Sequence, residues 1–366
     1  MRFLIDNAAF AQAARHIAQI AGREDDSPVL VEAGPKGVTL LGGGWKQVSR
    51  VHCRAQVLDE GHVVVNALWL AGIASSMPNG EVTVRAEDAR LRLESDGAKA
   101  LMALMDRSAD DVRSRLPDMS AAEAGMVDAP DGVLEELAAL AAPFCSRDLN
   151  SPVLQATHVT GGDGLMRVEA TDKFRMLRAS HDVEGMPLVD ALVDATWLKA
   201  ASVGATRVGA TRVGASDRLF LLADENRVDA CVVMDGQYPL LDRVMVSREQ
   251  ARVTVAFDRV TLMDIIRRLK ATDYSKRSFT TIRLAVEPDR MHVSLEGEEL
   301  DNERVMPARL DGAASFRLAF NAQFLLDALA SFDGAEVTLL ATDPHKPVGF
   351  TDGQGSTSVS VVPLRV

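Results

Sequence analysis

The chain has 366 residues, 47% hydrophobic and 25% charged, which is enough for about three globular domains whose cores need no disulfides. Its 3 cysteines show no Cys-x-x-Cys spacing, which argues against a disulfide framework and a zinc site and favours a reducing, cytoplasmic location. No apolar run is long enough to predict a membrane span. The net charge of −12 excludes an evenly basic nucleic-acid-binding protein, but it does not exclude a basic patch on the surface.

Six short helices are predicted among many strands. Three of them follow Asn66, Asp194 and Asn321, whose side chains can accept a hydrogen bond from a free backbone N–H in the first helical turn. The other three follow Asp6, Asp131 and Asp258, and the residues after them show apolar positions at helical spacing.

Three of these helix starts form an internal repeat. Asn66-Ala-Leu-Trp-Leu70 recurs as Asp194-Ala-Thr-Trp-Leu198 and again as Asn321-Ala-Gln-Phe-Leu325, at offsets of 128 and 127 residues. The stretches between the helices alternate apolar and polar residues, as half-buried strands do. The sequence therefore predicts an α+β protein of three tandem domains, 1–121, 122–247 and 248–366, each with a duplicated helix plus antiparallel strands.

Positive charge is concentrated around three of the predicted helices. The first helix has a polar face of Gln12, Arg15, His16, Gln19 and Arg23. The fifth carries Arg259, Arg267, Arg268 and Lys270, and the fourth is surrounded by Lys199, Arg207, Arg212 and Arg218. Such runs are usually solvated surface, but they also suit salt-dependent contact with phosphates.

Five segments carry a resemblance to a known family. They are 168–176 (VEATDKFRM), 235–244 (DGQYPLLDRV), 278–284 (SFTTIRL), 320–327 (FNAQFLLD) and 362–366 (VPLRV). In this order and at this chain length, they resemble motifs of the bacterial sliding clamp, the beta subunit of DNA polymerase III. The resemblance implies a DNA-clamp fold in which two copies join head to tail into a homodimeric ring.

The same resemblance implies the function of a processivity factor in DNA replication. The ring would encircle duplex DNA without sequence specificity, would be opened by a clamp loader, and would tether a polymerase and repair factors through short peptide motifs. The expected DNA-binding residues are Arg15, Arg23, Arg147, Lys199, Arg207, Arg212, Arg267 and Arg268. The expected peptide-binding residues are Leu154, Thr171, Arg175, Met176, Pro239, Arg243, Val244, Phe279, Asn321, Phe324, Val362, Pro363, Leu364 and Arg365.

Some positions depart from the family pattern. Lys173-Phe174 stands where the family turn has Gly-His. Residues 100–103 are Ala-Leu-Met-Ala, where the family tends to place Phe and Leu at the subunit interface. The acidic segment Glu24-Asp-Asp26 follows Arg23 and would repel phosphate. These departures keep open an alternative: a divergent clamp-fold module that binds partner peptides without encircling DNA.

Enzyme functions find little support. No phosphate-binding Walker loop, zinc-protease motif or serine-hydrolase elbow occurs, and no cofactor or metal is expected. A carboxylate-based hydrolase that uses Asp110 and Asp111 is a further alternative. It is weakly supported, because adjacent carboxylates are far more often solvated surface residues. The sequence therefore favours a non-catalytic protein.

Overall fold

The computed structural model describes residues 1–21, 27–203, 210–274, 278–296 and 301–365. Within these ranges the helices are α1 Asn7–Ala21, α2 Ala67–Ser76, α3 Ala109–Arg113, α4 Ser120–Ala124, α5 Val133–Ala141, α6 Pro152–Gln155, α7 Ala195–Ser202, α8 Arg259–Ala271 and α9 Ala322–Ala330. The strands up to α5 are β1 Arg2–Asp6, β2 Pro28–Gly34, β3 Gly37–Gly43, β4 Gln47–Cys53, β5 Gln56–Asp59, β6 Gly61–Asn66, β7 Glu81–Glu87, β8 Arg90–Ser95, β9 Ala98–Ala103 and β10 Val127–Asp128. The strands that follow are β11 Ala156–Gly162, β12 Leu165–Thr171, β13 Arg175–Asp182, β14 Val189–Asp194, β15 Arg212–Ala215, β16 Leu219–Ala223, β17 Arg227–Val232, β18 Val253–Asp258, β19 Thr281–Glu287, β20 Arg290–Glu296, β21 Asp301–Asp311, β22 Phe316–Asn321, β23 Glu336–Ala341, β24 Val348–Thr351 and β25 Thr357–Val361.

The chain forms two compact units, and neither is a continuous segment. Unit 1 consists of 1–138, 160–166 and 182–235, and unit 2 of 139–159, 167–181 and 236–366. The expected boundaries at 121 and 247 are not tested by this grouping, so the division into three domains stays a prediction.

Unit 1 contains two antiparallel sheets. One has the strand order β5-β1-β7-β8-β9, and the other β10-β15-β16-β17-β4-β3-β2-β6. In the larger sheet β17 pairs with β4, with Arg227 opposite Val51, so strands more than 170 residues apart lie side by side. Helix α1 buries Phe10 and Ile17 against these sheets.

In the described part of unit 2 the strands follow the order β13-β25-β24-β23-β18-β21-β20-β19-β22, and β12, most of which also belongs to unit 2, is the other neighbour of β13. Strand β13 is the neighbour of β25, with Arg175 opposite Val361. Helices α8 and α9 contribute Leu262, Ile266 and Leu325 to the buried core. This arrangement holds the end of the chain beside β13, where the candidate site lies.

The three repeated helix starts are confirmed as capped helices. Asn66 accepts a hydrogen bond from the N–H of Trp69 at 3.1 Å, Asp194 from that of Trp197 at 2.8 Å, and Asn321 from that of Gln323 at 2.9 Å. Each cap ends a strand and supplies an acceptor to the first turn of the helix, as the repeat predicts.

The short helices α3, α4 and α6 were not predicted from the sequence. The tetrapeptide Ser-Pro-Val-Leu, which occurs at 27–30 and at 151–154, shows why α6 was not. At 28–30 its residues lie in strand β2, whereas at 152–154 they form the start of α6. Local sequence alone does not separate these outcomes, because neighbouring strands and helices decide which backbone conformation buries the apolar residues.

One prediction about helix α1 is wrong. His16 was placed on the polar face, but only 5% of it is exposed. Its Nε2 lies 2.8 Å from Asp229 Oδ2, and Arg227 Nη1 lies 3.1 Å from the same carboxylate oxygen. Arg227 also donates to the carbonyl of Ala201 at 2.8 Å. The helical pattern gave no sign of this cluster, because its partners lie over 200 residues away.

None of the helices in the described residues combines the length with the apolar character that a membrane-spanning helix needs.

Candidate functional site

The turn between β12 and β13 is held by side chains of its own residues. The Thr171 hydroxyl donates to the carbonyl of Arg175 at 2.9 Å and accepts from the N–H of Lys173 at 3.2 Å. Asp172 Oδ1 accepts from the N–H groups of Phe174 and Arg175, both at 3.0 Å. Lys173 has φ +81°, in the left-handed region that suits glycine. The turn is therefore fixed, at the cost of one strained backbone residue.

Arg175 connects this turn to helix α9. Its Nε donates to Asp172 Oδ2 at 2.8 Å, its Nη2 to the carbonyl of Pro143 at 2.6 Å, and its Nη1 to Asp327. Only 9% of Arg175 is exposed. Its guanidinium is thus engaged within the chain, and it positions the turn.

Aromatic rings pack around this guanidinium. The Arg175 Cζ lies 4.3 Å from the ring centroid of Phe324 and 5.4 Å from that of Phe144, within the range of cation–π attraction. The ring of Phe324 stacks on Phe174, with centroids 6.4 Å apart and planes 26° apart. Phe174 is 57% exposed, so the outer end of this group of rings is open to a ligand.

The C-terminal tail runs alongside the turn. The N–H of Val362 donates to the carbonyl of Phe174 at 2.7 Å, and the N–H of Leu364 donates to the carbonyl of Ala319 at 2.8 Å. Pro363 is buried, and Val362 and Leu364 are half-buried. The tail therefore adds apolar side chains beside Phe174.

The segment that precedes β18 covers another side of β13. Arg178 Nη2 lies 2.7 Å from Asp242 Oδ1, and Arg178 Nε donates to Glu169 at 2.7 Å. His158 Nδ1 lies 3.1 Å from the other Glu169 oxygen. Burial raises the pKa of the Glu169 carboxyl, but the hydrogen bonds from His158 and Arg178 outweigh burial and hold that pKa below its ordinary value.

The expected peptide-binding residues fall into three groups. The first group lies at the turn, the rings, the tail and the α9 cap described above, and consists of Thr171, Arg175, Asn321, Phe324, Val362, Pro363 and Leu364. Leu154 and Met176 are buried. Exposed positions are Pro239, Arg243, Val244, Phe279 and Arg365.

Two of these residues have a different local role from the one expected. Arg175 and Asn321 were expected to hold polar groups of a peptide. The Arg175 donors are engaged, and the Asn321 side-chain oxygen caps α9. Sequence reasoning also missed Asp327, although it closes the FNAQFLLD segment one helical turn after Phe324, and missed the Pro143 carbonyl, for which the sequence has no signal.

The expected DNA-binding cations are divided between helices and other elements. Arg15 on α1, Lys199 on α7, and Arg267 and Arg268 on α8 are exposed. Arg268 pairs with Asp264 at 2.7 Å. Arg147 is exposed in the loop after α5. Arg23 and Arg207 lie outside the described residues.

Arg212 does not lie with the helix cations of unit 1. It is on strand β15 and lines a shallow pocket with Thr39, Arg50 and His52. On β3 and β4, Thr39 and His52 alternate with Leu40 and Val51, which pack in the core with α1. The Arg212 pocket is therefore on the sheet face opposite that helix.

Comparisons with known proteins agree over most of the chain. Residues 243–365 match a family model described as "DNA polymerase III beta subunit, C-terminal domain". The beta sliding clamp of Synechocystis sp. is 24% identical over 341 residues, which cover 85% of this chain and 84% of the relative. The chain is thus similar to bacterial beta sliding clamps over most of its length, and the family model matches its residues 243–365.

Another relative and two solved structures show the same similarity. The "Beta sliding clamp homolog GriR" of Streptomyces muensis is 23% identical over 92% of this chain and 89% of the relative. The fold matches that of the DNA polymerase sliding clamp from Bacillus subtilis with a TM-score of 0.89 at 16% identity, over 100% of this chain and 99% of that one. The beta subunit from Thermotoga maritima gives 0.88 at 16% identity over the same shares. The expected DNA-clamp fold is thus confirmed.

Proposed function

We propose that this protein is a DNA sliding clamp, a ring-shaped processivity factor that encircles duplex DNA and tethers a replicative polymerase. The observation that carries the proposal is the likeness to clamp structures over the whole chain, with a TM-score of 0.89 for one of them. The role needs no catalysis, because a ring holds DNA by topology. It also accounts for the net charge of −12, since weak cationic contact suffices and strong contact would slow sliding.

Exposed cations on helices supply that weak contact. Arg267 and Lys270 line a groove between α8 and α9, and Arg15 and Lys199 are exposed on helices of unit 1. Each can contact phosphates without reading bases. Single substitutions of these residues should weaken binding to linear duplex uniformly across sequences and reduce its dependence on salt.

The ring requires a second copy of the chain, and unit 1 offers a surface for it. Strand β9 is the edge of its sheet, with unpaired backbone groups that can accept another strand. Leu101 on β9 and the neighbouring Leu68 and Trp69 on α2 are exposed, Trp69 by 60%. In unit 2, β20 pairs with 301–307 of β21, whereas β18 pairs only with 308–311. The other side of 301–307, which includes the 54% exposed Val305, is therefore the proposed partner of β9 in the next copy, and this pairing would close a head-to-tail homodimer.

The pocket around Phe174 is the proposed site for short peptides of the polymerase and of repair factors. A clamp loader would open the ring, and the cell compartment would be the cytoplasm. Peptide binding without retention on DNA would favour the alternative function, a peptide-binding module.

Retention on circular DNA tests the proposal. The protein is loaded onto a nicked circle with a bacterial clamp loader, separated from free protein, and followed before and after the circle is cut. We expect stable retention on the circle and rapid loss from the linear product. Equal loss from both would refute encirclement.

A substitution at the proposed subunit interface provides the matched control. Leu101→Asp should give a 39.4 kDa monomer by light scattering and abolish retention on the circle. Leu149→Asp changes a leucine that is 84% exposed in unit 2 and should leave the dimer intact. A Leu101→Asp protein that still dimerises would contradict the proposed interface.

A further inference from the structure

We propose that contact of helix α8 with duplex DNA tightens the turn between β12 and β13 through a chain of side-chain hydrogen bonds inside unit 2. The chain of bonds begins at the exposed ammonium of Lys270 and ends at the turn of 171–175. Its four members form the coupling chain: Lys270, Gln323, Asp327 and Arg175. The inference rests on the proposed DNA-binding function and adds a regulatory link to it.

Gln323 is the first link of the coupling chain. Lys270 Nζ donates to Gln323 Oε1 at 2.7 Å, and Gln323 Nε2 donates to Asp327 Oδ1 at 2.8 Å. The partners fix the orientation of the amide, because an ammonium only donates and a carboxylate only accepts. Lys270 and Gln323 are both exposed and line the groove between α8 and α9. This end of the coupling chain is therefore open to a phosphate.

Asp327 and Arg175 are the inner links. Asp327 binds Gln323 through Oδ1 and accepts from Arg175 Nη1 through Oδ2. Arg175 Nε donates to Asp172 Oδ2 at 2.8 Å, and Asp172 Oδ1 holds the N–H groups of Phe174 and Arg175. The side chains of Asp172 and Asp327 are only 13% and 21% exposed. Their charges are therefore less screened than charges on the open surface.

A phosphate competes with Gln323 for Lys270. A hydrogen bond between two ions is about twice as strong as one between an ion and a neutral group, so the phosphate displaces the Gln323 oxygen. The phosphate also neutralises the ammonium charge that Gln323 holds near Asp327. Asp327 then has Arg175 as its main source of positive charge, and the pair of Asp327 with Arg175 tightens. The turn that Arg175 and Asp172 hold should open less often.

The size of the effect is limited by what the phosphate changes. One hydrogen-bond partner of Lys270 is exchanged for another, and a net hydrogen bond corresponds to about a 2- to 12-fold change in an equilibrium. The coupling is also reciprocal, so a tighter turn must favour duplex binding by the same factor.

Amide hydrogen exchange of the full-length protein tests the coupling. A short linear duplex of mixed sequence is added to saturation at low salt, where phosphate contacts are strongest. Mass spectrometry then follows a fragment that covers 171–176, in which the N–H groups of Lys173, Phe174 and Arg175 are bonded to the side chains of Thr171 and Asp172. We expect these amides to exchange about 2- to 12-fold more slowly with the duplex than without it.

Variants separate the coupling chain from direct cover of the turn by DNA. Gln323→Leu removes both bonds of the amide and should abolish the slowing at saturating duplex. Lys270→Gln and Arg268→Gln each remove one cation of α8, and Arg268 pairs with Asp264 at 2.7 Å instead of joining the coupling chain. At saturating duplex the slowing should be lost in Lys270→Gln and kept in Arg268→Gln. Thermal melts establish that each variant is folded.

Each other outcome overturns the coupling. Unchanged or faster exchange in the unaltered chain at saturating duplex contradicts it. Slowing that persists in Gln323→Leu shows that the DNA covers the turn directly, and equal slowing in Lys270→Gln and Arg268→Gln shows that Lys270 has no special part. Failure of the linear duplex to bind at low salt removes the contact on which the coupling depends, whereas encirclement is judged separately by retention on the nicked circle.

Discussion

Replacing Arg227 by methionine should destabilise unit 1 strongly. Arg227 is 2% exposed and Asp229 is wholly buried. The substitution removes the Arg227 contacts to Asp229 at 3.1 Å and to Asp224 at 3.4 Å and its hydrogen bond to the Ala201 carbonyl. Two carboxylates then remain in the interior, with His16 as the neighbour of Asp229.

The magnitude follows from the burial of these charges. Removing one partner of a buried ion pair costs about 3–5 kcal/mol, because the remaining charge is left without compensation. A unit of this size unfolds in urea with a slope near the top of the usual range, about 3 kcal/mol per molar. The midpoint should therefore fall by roughly 1–1.7 M.

Tryptophan fluorescence can follow this transition, because Trp45, Trp69 and Trp197 all belong to unit 1. Arg50→Met is the matched control. It removes a partner of Glu123 from the neighbouring strand β4, but this pair is partly exposed, at 42% and 28%, and should cost less than about 1 kcal/mol. Equal midpoint shifts for the two variants would refute the reasoning.

Three further predictions concern local chemistry. The pKa of Glu169 is lower in the folded chain than its ordinary value of 4.5, so the stability that Glu169 contributes is present above pH 4.5 and is lost as the pH falls through the folded pKa. Urea midpoints measured between pH 3 and 7 should therefore fall less steeply on acidification in Glu169→Gln than in the unaltered chain, and identical slopes would contradict this. Lys173→Gly should raise the free energy of unfolding by about 0.5–1 kcal/mol in urea titrations, because relief of the strain of a left-handed lysine exceeds the cost of a more flexible unfolded chain. A loss of stability would show that the hydrogen bond from Lys173 to Ser151 contributes more than this strain. Burial raises the pKa of Cys53 and of Cys231 to about 12, so a disulfide reagent at pH 8 should label both only after denaturation, and rapid labelling of the folded chain would contradict that burial.

Repeated local signals made much of the fold predictable. The caps at Asn66, Asp194 and Asn321 depend only on a polar residue followed by helical spacing, and the structure has all three. The short helices α3 and α4 have no apolar period, because each has only five residues and too few apolar positions to set one. Helix α3 does begin with a capping box of Ser108 and Asp111, but without a period that signal was not recognised.

The candidate site was predictable as a set of segments but not as a set of contacts. The motifs around Thr171 and Phe324 correctly indicated the strands and the helix that form the candidate site. They could not reveal that Arg175 is engaged by Asp327 and the Pro143 carbonyl, since these partners are 152 and 32 residues away. They also gave no reason to expect that Phe174 would remain exposed.

The pairing of β13 with β25 sets a limit on how early the site can form during synthesis. Arg175 leaves the ribosome long before its strand partner Val361, and at about 5–20 residues per second this interval is on the order of 10–40 s. Until then β13 lacks the neighbour that it has in the finished sheet, and the carbonyl of Phe174 lacks the N–H of Val362. A nascent or truncated chain that ends before β25 therefore lacks the finished candidate site, which only a completed copy contains.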